Sequence, residues 1–199
     1  MTEHYYYDTL FPSTVVYKDH EIENKSVLID LSKKIIEEHG RLSFYSSCST
    51  TVNTKVDILD MAEFSEIRSQ IVETIGAFCE STKLSRKSLK FTGSWLNFYD
   101  IGGYQDLHHH SHSTMSGVYY LDSDGNKDLI FQAPWHFFQS IEAEVTEPNT
   151  TNCHNVEYCS LPGRCYVFMS HLMHRTLPAK SQRISISFNV VYDKDPQVK

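Results

Sequence analysis

The stretch Arg183-Ile184-Ser185-Ile186-Ser187-Phe188-Asn189-Val190 alternates polar and apolar residues. Successive side chains of a β-strand point to opposite faces, so this period of two predicts a strand with one polar and one apolar face. The apolar face holds Ile184, Ile186, Phe188, Val190 and, further along, Tyr192, and the polar face holds Arg183, Ser185, Ser187 and Asn189. The polar face is either exposed to water or part of a site that binds a polar ligand.

The same strand-like period recurs throughout the chain after residue 91. Short strands are predicted at 93–100, 107–112, 116–121, 128–132, 138–146, 155–160, 164–170 and 182–192. Two amphipathic helices are predicted before them, at 25–39 with Gly40 as its stop, and at 61–81 with Asp60 as its cap. This order predicts a mainly β protein in which a double-stranded β-helix (jelly-roll) barrel carries the two N-terminal helices on its outside.

The length and composition predict one globular domain. We expect a single domain over 1–199, with helical support at 20–85 and the jelly-roll core at 91–193. The net charge of −7 argues against nucleic acid as the main partner. The apolar stretches are too short to span a membrane and the N-terminus does not resemble a signal peptide, so we expect a cytoplasmic protein without a membrane partner.

A run of histidines, Leu107-His108-His109-His110-Ser111-His112, predicts a metal site. On a strand, His108 and His110 share one face and His109 points to the other. Two imidazoles on one face can bind a single ion, as in non-heme iron sites. The run is also compatible with a solvated histidine-rich loop. A third ligand could come from either His171 or His174.

The polar face of the strand at 182–192 favours a bound carboxylate. The planar guanidinium of Arg183 suits bidentate binding of that group. Asn97 and Tyr99 lie two residues apart on the preceding predicted strand, so they share a face and could hydrogen-bond the same ligand.

These residues together resemble the iron(II)/2-oxoglutarate dioxygenase superfamily. Asn97-x-Tyr99 followed by His108-x-His110 is similar to the pattern of the alkylation-repair demethylases. The segment 105–120 more closely resembles a small microbial and phage branch with prolyl-hydroxylase-like motifs. That branch also tends to show Leu-Phe-Pro near its start and Phe-x-Ser-x-x-x-His-x-x-x-Pro later, matched here by Leu10, Phe11, Pro12, Phe168, Ser170, His174 and Pro178.

The resemblance implies a jelly-roll barrel that binds Fe(II) through His108, His110 and His174. His174 is preferred over His171 because the nine-residue step from His174 to Arg183 is common in prolyl-hydroxylase-like members. The chain departs from the family at His110, where an aspartate or glutamate is usual. Whether His110 binds the iron, or stands back while His108 and His174 bind it with water, stays open.

The resemblance also implies the cosubstrate site. It places the distal carboxylate of 2-oxoglutarate on Arg183, with Asn97, Tyr99 and Asn189 as helpers, and Ser185 on the same strand face is a further candidate.

The implied activity uses Fe(II), 2-oxoglutarate and dioxygen to hydroxylate an unactivated C–H bond of a small molecule or a protein side chain. Succinate and carbon dioxide are the coproducts, and Tyr104 and Trp135 are candidate substrate contacts. Two alternatives stay open: a cupin-type iron dioxygenase with three histidines and no 2-oxoglutarate, and a non-catalytic jelly-roll module.

Overall fold

The computed structural model describes residues 11–43, 47–135 and 144–193. This part of the chain has two α-helices, α1 (Lys25–His39) and α2 (Ser65–Thr82). Its strands are β1 (Val15–Asp19), β2 (Arg41–Leu42), β3 (Ser49–Thr50), β4 (Leu89–Tyr99), β5 (Gln105–His108), β6 (Met115–Asp122), β7 (Lys127–Gln132), β8 (Asn155–Cys159), β9 (Arg164–Met169), β10 (His174–Thr176) and β11 (Arg183–Tyr192). In the described residues, no helix has the length and apolar character needed to cross a membrane.

The strands form two antiparallel sheets. One has seven strands in the order β1-β9-β6-β11-β4-β3-β2, and the other has four in the order β5-β10-β7-β8. The central strand β11 pairs with β4 on one side and β6 on the other, so that Arg183 lies opposite Tyr99 and Ser187 lies opposite both Trp95 and Val118. The prediction of a mainly β chain with antiparallel sheets and two helices is therefore confirmed, whereas closure into a barrel and the single-domain boundaries stay predictions.

One face of the seven-stranded sheet carries the main hydrophobic core. Four apolar residues of β11 are nearly inaccessible to water and belong to one cluster with apolar residues of both helices, whereas Val191 and Tyr192 at the end of the strand are only partly buried and lie outside this cluster. This cluster includes Ile184, Ile186, Phe188 and Val190 of β11, Leu28 and Ile35 of α1, and Ile67, Ile71 and Phe78 of α2. Because side chains alternate along a strand, the polar residues of β11 point to the opposite side of this sheet.

The first helix has the predicted bounds, but the second does not. Gly40 ends α1 and donates its N–H to the carbonyl of Ile36, at 2.8 Å. The predicted start of α2 at residue 61 is wrong, because short 3-10 turns occupy Ile58–Asp60 and Ala62–Phe64 and the helix begins at Ser65. Asp60 does not cap α2, since its carboxylate accepts a hydrogen bond from Arg68 instead, at 3.0 Å.

Most of the predicted strands agree with the structure to within a few residues at each end. The strand predicted at 107–112 runs instead from Gln105 to His108, and the chain then turns at 111–112, where His112 has a left-handed φ of 64°. The strand at His174–Thr176 was not predicted. Of the strand predicted at 138–146, residues 138–143 lie outside the described part of the chain, and 144–146 form no strand.

The core face of β11 can be tested by substitution. Ile186 is fully buried, so Ile186→Ala should lower the free energy of unfolding by about 2–5 kcal/mol through lost packing and a residual cavity. The matched control Ile101→Ala removes an isoleucine that is 75% exposed and should change it by less than about 0.5 kcal/mol. Urea denaturation followed by circular dichroism measures both, and equal losses would contradict the core position of Ile186.

Candidate metal centre

Three histidines lie together beside the four-stranded sheet. His108 ends β5, His174 begins β10, and the two residues lie opposite each other in the antiparallel pair of these strands. His110 follows β5, and its backbone N–H donates to the carbonyl of Ser170 at 2.9 Å, which holds the loop in place. The possible ligand atoms of the three side chains all lie within 4.8 Å of one another. The structure thus brings together the three histidines that the sequence predicts as ligands.

Backbone carbonyls orient two of these rings. The Nδ1 atom of His108 lies 2.7 Å from the carbonyl oxygen of Asp106, and the Nδ1 atom of His174 lies 2.9 Å from that of Leu172. A carbonyl only accepts hydrogen bonds, so each Nδ1 carries the proton and donates it. The lone pair of each Nε2 is left for a metal ion, an arrangement that is common around protein-bound metals.

Burial keeps the three rings uncharged. Desolvation lowers the pKa of His110 to about 4, and the neighbouring imidazoles add to the shift. Desolvation also lowers the pKa of His108, and it lowers that of the almost fully buried His174 well below its usual range. Neutral imidazoles are the form that binds metal, so this donor set fits a divalent transition metal such as iron.

The other histidines of the two motifs lie outside this cluster. His109, His112 and His171 are exposed. The interpretation of a solvated loop therefore applies to His109 and His112 but not to His110, which is partly buried and whose ring lies 5.9 Å from that of Trp95.

Arg183 is buried on the polar face of β11. Its guanidinium carbon lies 4.2 Å from the centre of the Tyr99 ring, and its Nη2 donates to the hydroxyl of Thr176 at 3.0 Å. Its Nη1 donates to the carboxylate of Asp128, with which it forms a buried ion pair. Its Nε has no hydrogen-bond partner among the described residues.

A cavity between the two sheets connects Arg183 to the histidines. It is lined by Trp95, Asn97, Tyr99, Gln105, His108, His110, Gly117, Val118, Tyr120, Leu129, Phe168, His174, Thr176, Arg183, Ser185 and Ser187. The polar face of β11 is therefore a wall of this cavity rather than a surface exposed to water. The hydroxyl of Tyr120 is buried here and, like Nε of Arg183, has no hydrogen-bond partner in the described residues. Buried polar groups are normally paired, so these two atoms indicate that a polar ligand belongs in the cavity.

The predicted helper residues differ in their surroundings. Asn97 lines the cavity, accepts a hydrogen bond from Thr50 and donates one to Ser187. Asn189 does not line the cavity but lies in an adjoining groove, where its side-chain oxygen accepts a hydrogen bond from Ser116.

The two predicted substrate contacts lie outside the cavity. Tyr104 and Trp135 are 38% and 37% exposed and are not among the residues that line it.

Three residues of this site were missed in the sequence. Thr176 lies two positions after His174, so strand periodicity could have placed it on the same face. Tyr120 lies in a nearly continuous apolar run, where a tyrosine is not distinguishable from a core residue. Asp128 follows an Asp-Gly turn, and no local signal distinguishes it from the aspartates of that turn.

Part of the chain is similar to a known protein family. Residues 93–189 match the family model described as a putative 2OG-Fe(II) oxygenase. No curated protein sequence matches the chain.

Solved structures of similar fold include several oxygenases. A prolyl-4-hydroxylase from Pseudomonas putida has 14% identity and a TM-score of 0.59, with 88% of this chain and 91% of that chain covered. A prolyl hydroxylase from Trichoplax adhaerens, in complex with a peptide fragment of hypoxia inducible factor, has 13% identity, a TM-score of 0.63 and coverages of 90% and 84%. HygX from Streptomyces hygroscopicus, with nickel and 2-oxoglutarate bound, has 8% identity, a TM-score of 0.58 and coverages of 92% and 84%. Identities this low show likeness of fold.

The geometry of the metal centre predicts which histidines are needed to bind Fe(II). His108→Ala and His174→Ala should each weaken anaerobic Fe(II) binding by at least about 100-fold, more than the loss of an outer hydrogen-bond partner costs. The matched controls His112→Ala and His171→Ala change exposed side chains and should bind Fe(II) as the unaltered protein does. Equilibrium dialysis with metal analysis measures the affinities, and comparable losses in all four variants would rule out this assignment.

Proposed function

We propose that this chain, which belongs to the iron(II)/2-oxoglutarate-dependent oxygenase superfamily, hydroxylates an unactivated C–H bond of a small molecule or a protein side chain. The observation that supports this most directly is a single cavity with three neutral imidazoles on one wall and a buried arginine on another. A metal ion and a carboxylate-bearing cosubstrate can occupy such a cavity together.

The histidines form the proposed metal site. His108 and His174 would hold Fe(II) through their Nε2 atoms, and His110 would supply the third nitrogen. When bound, Fe(II) with 2-oxoglutarate supplies the activation of dioxygen and the oxidation of the substrate, with release of succinate and carbon dioxide. The carbonyls of Asp106 and Leu172 fix the tautomer and direction of two of the rings, so little reorganisation is needed when the metal binds.

Arg183 is the proposed anchor for the distal carboxylate of 2-oxoglutarate. Its Nε has no hydrogen-bond partner in the described residues, so it could donate a hydrogen bond to a carboxylate oxygen of the cosubstrate. Burial raises the pKa of Tyr120 well above its usual range, so its hydroxyl keeps its proton and can donate to the same group. Each buried polar atom left unpaired costs about 1–3 kcal/mol, and a bound carboxylate would remove that cost for both residues.

The other predicted cosubstrate residues would shape the cavity. The ring of Tyr99 packs against the Arg183 guanidinium and excludes water from one side of it. Ser185 is buried in the cavity wall next to Arg183 on the same face of β11. Asn189 would act from the adjoining groove.

A larger groove is the proposed site of the prime substrate. It shares Trp95, Asn97, Gln105, His108 and His110 with the cavity, so it opens directly onto the histidines. Its other walls, largely residues 50–57 and 92–94, are rich in hydroxyl groups and carry one charge of each sign, on Lys55 and Asp57. Such walls suit an uncharged substrate that forms hydrogen bonds. The structure from Trichoplax adhaerens holds a peptide fragment, and a peptide or a small molecule is proposed here as well.

One observation favours a second candidate. The metal centre consists of three histidines without a carboxylate, as in cupin-type dioxygenases that use no 2-oxoglutarate. The buried Arg183 favours the first candidate, because an arginine in the same cavity has no role in binding the metal.

Anaerobic titration with 2-oxoglutarate separates these candidates. The Fe(II)-loaded protein should develop a weak visible charge-transfer band as 2-oxoglutarate chelates the metal. Arg183→Ala should weaken 2-oxoglutarate binding by about 10- to 100-fold, since a hydrogen-bonded charge pair contributes roughly 1.5–3 kcal/mol. Arg164→Ala is the matched control, because Arg164 forms an ion pair with Asp19 and does not line the cavity. Absence of the band together with unchanged binding in Arg183→Ala would favour the three-histidine dioxygenase.

The groove can be tested at Gly93. A Cβ atom added there meets no other atom within 4 Å, so a side chain can leave the backbone without a clash at Cβ, and Gly93→Phe should obstruct the groove. The affinity for 2-oxoglutarate should stay unchanged, because Gly93 does not line the cavity. A panel of neutral peptides and polar small molecules would first be screened for compounds that stimulate succinate release. We expect Gly93→Phe to lose this stimulation and Gly93→Ala to keep it. Equal stimulation in Gly93→Phe would show that the substrate binds elsewhere.

A further inference from the structure

The Asp128–Arg183 pair lies directly behind the proposed cosubstrate site. Asp128 is on β7 next to Leu129, which lines the cavity, and it is 5% exposed, while Arg183 is 1% exposed. Burial raises the pKa of Asp128, and the guanidinium of Arg183 opposes this shift and favours the ionised carboxylate. A buried charge pair is expensive to form from two hydrated ions, and well-packed apolar residues would often be as stable. Stability alone is therefore a poor explanation for this pair.

The charges of the assembled site offer an explanation. Three neutral imidazoles bring no charge to Fe(II), which carries two positive charges, and 2-oxoglutarate brings two negative charges. Arg183, which is buried, would then leave the assembled site with one uncompensated positive charge. The carboxylate of Asp128 supplies the missing negative charge, at the arginine rather than at the metal.

The geometry of the pair also determines how Arg183 faces the cavity. Asp128 accepts a hydrogen bond from Nη1 and Thr176 accepts one from Nη2, so the guanidinium is held from two strands of the four-stranded sheet. Among the guanidinium nitrogens only Nε is left without a partner in the described residues, and Oδ1 of Asp128 is unpaired there as well. Asp128 therefore lowers the net attraction of the site for anions while it keeps the guanidinium in a fixed orientation.

We propose that Asp128 is a positioning residue that balances the charge of the cosubstrate site and limits its affinity for dicarboxylates. This inference rests on the proposed function. A site with one excess positive charge would hold both 2-oxoglutarate and succinate more tightly, because charge interactions are strong in a buried cavity. Asp128 would thereby allow the spent cosubstrate to leave after each turnover.

The test is a binding measurement on a neutral variant. Asp128→Asn keeps an oxygen that can accept the hydrogen bond of Arg183 and removes the charge. In anaerobic calorimetry with the Fe(II)-loaded protein, the Kd values for 2-oxoglutarate and for succinate should both fall by at least about fivefold. The matched control is Asp19→Asn, which neutralises another Asp–Arg pair outside the cavity and should leave both values unchanged.

If the role of Asp128 were only structural, its neutral variants would not bind the two dicarboxylates more tightly. If Asp128 only held Arg183 in place, Asp128→Asn would bind both dicarboxylates equally well or more weakly. Asp128→Ser, which is neutral and smaller, serves as a second variant. The proposal is overturned if neither neutral variant binds more tightly, including the case in which neither folds.

Failure of the proposed function gives a distinct result. If the unaltered protein and both neutral variants bind no 2-oxoglutarate, the proposed function is wrong and the role of Asp128 falls with it. If the unaltered protein binds 2-oxoglutarate and the neutral variants bind it no more tightly, only the role of Asp128 is wrong.

Discussion

The alternation of side chains along β11 is the constraint on which the rest of the structure depends. Its buried apolar residues, from Ile184 to Val190, join the core formed with the two helices. On its polar face, Arg183, Ser185 and Ser187 line the cavity between the sheets, and Asn189 lies in the adjoining groove. A shift of one residue in the pairing of β11 would exchange the two faces. Arg183 would then enter the hydrophobic core, and Ile184 would enter the cavity. The long pairings of β11 with β4 and β6 prevent this shift and thereby hold the arginine in the site.

Burial has opposite consequences for the two halves of the cavity. At the histidines it disfavours the imidazolium form, so the rings stay neutral and available to a metal. At Arg183 the charge persists, and the low-dielectric surroundings strengthen its attraction for a carboxylate. Within the chain, the carboxylate of Asp128 already forms an ion pair with this guanidinium. An incoming dicarboxylate would therefore share the positive charge of Arg183 with Asp128.

Local patterns explain which elements could be predicted. Helix α1 matches its predicted bounds because its apolar stripe and Gly40 act within a few residues of each other. The predicted start of α2 was wrong because the 3-10 turns before the helix depend on distant contacts. One of these contacts is the hydrogen bond from the Leu59 N–H to the Ser94 hydroxyl, at 2.8 Å. Likewise β5 ends early at His108, and the backbone N–H of His110 donates to the carbonyl of Ser170, a contact with a distant part of the chain that alternation does not predict.

The sequence by itself determined the mainly β class and the two faces of β11. These are consequences of a period of two, which acts over neighbouring residues. The tertiary structure decided that His110, which lies beyond the end of β5, and His174 rather than His171 join His108, and that Asp128 meets Arg183. Asp128 and Arg183 are fifty-five positions apart, and their contact depends on how the two sheets face each other. No local pattern carries that information, because the contact arises from the packing of whole sheets.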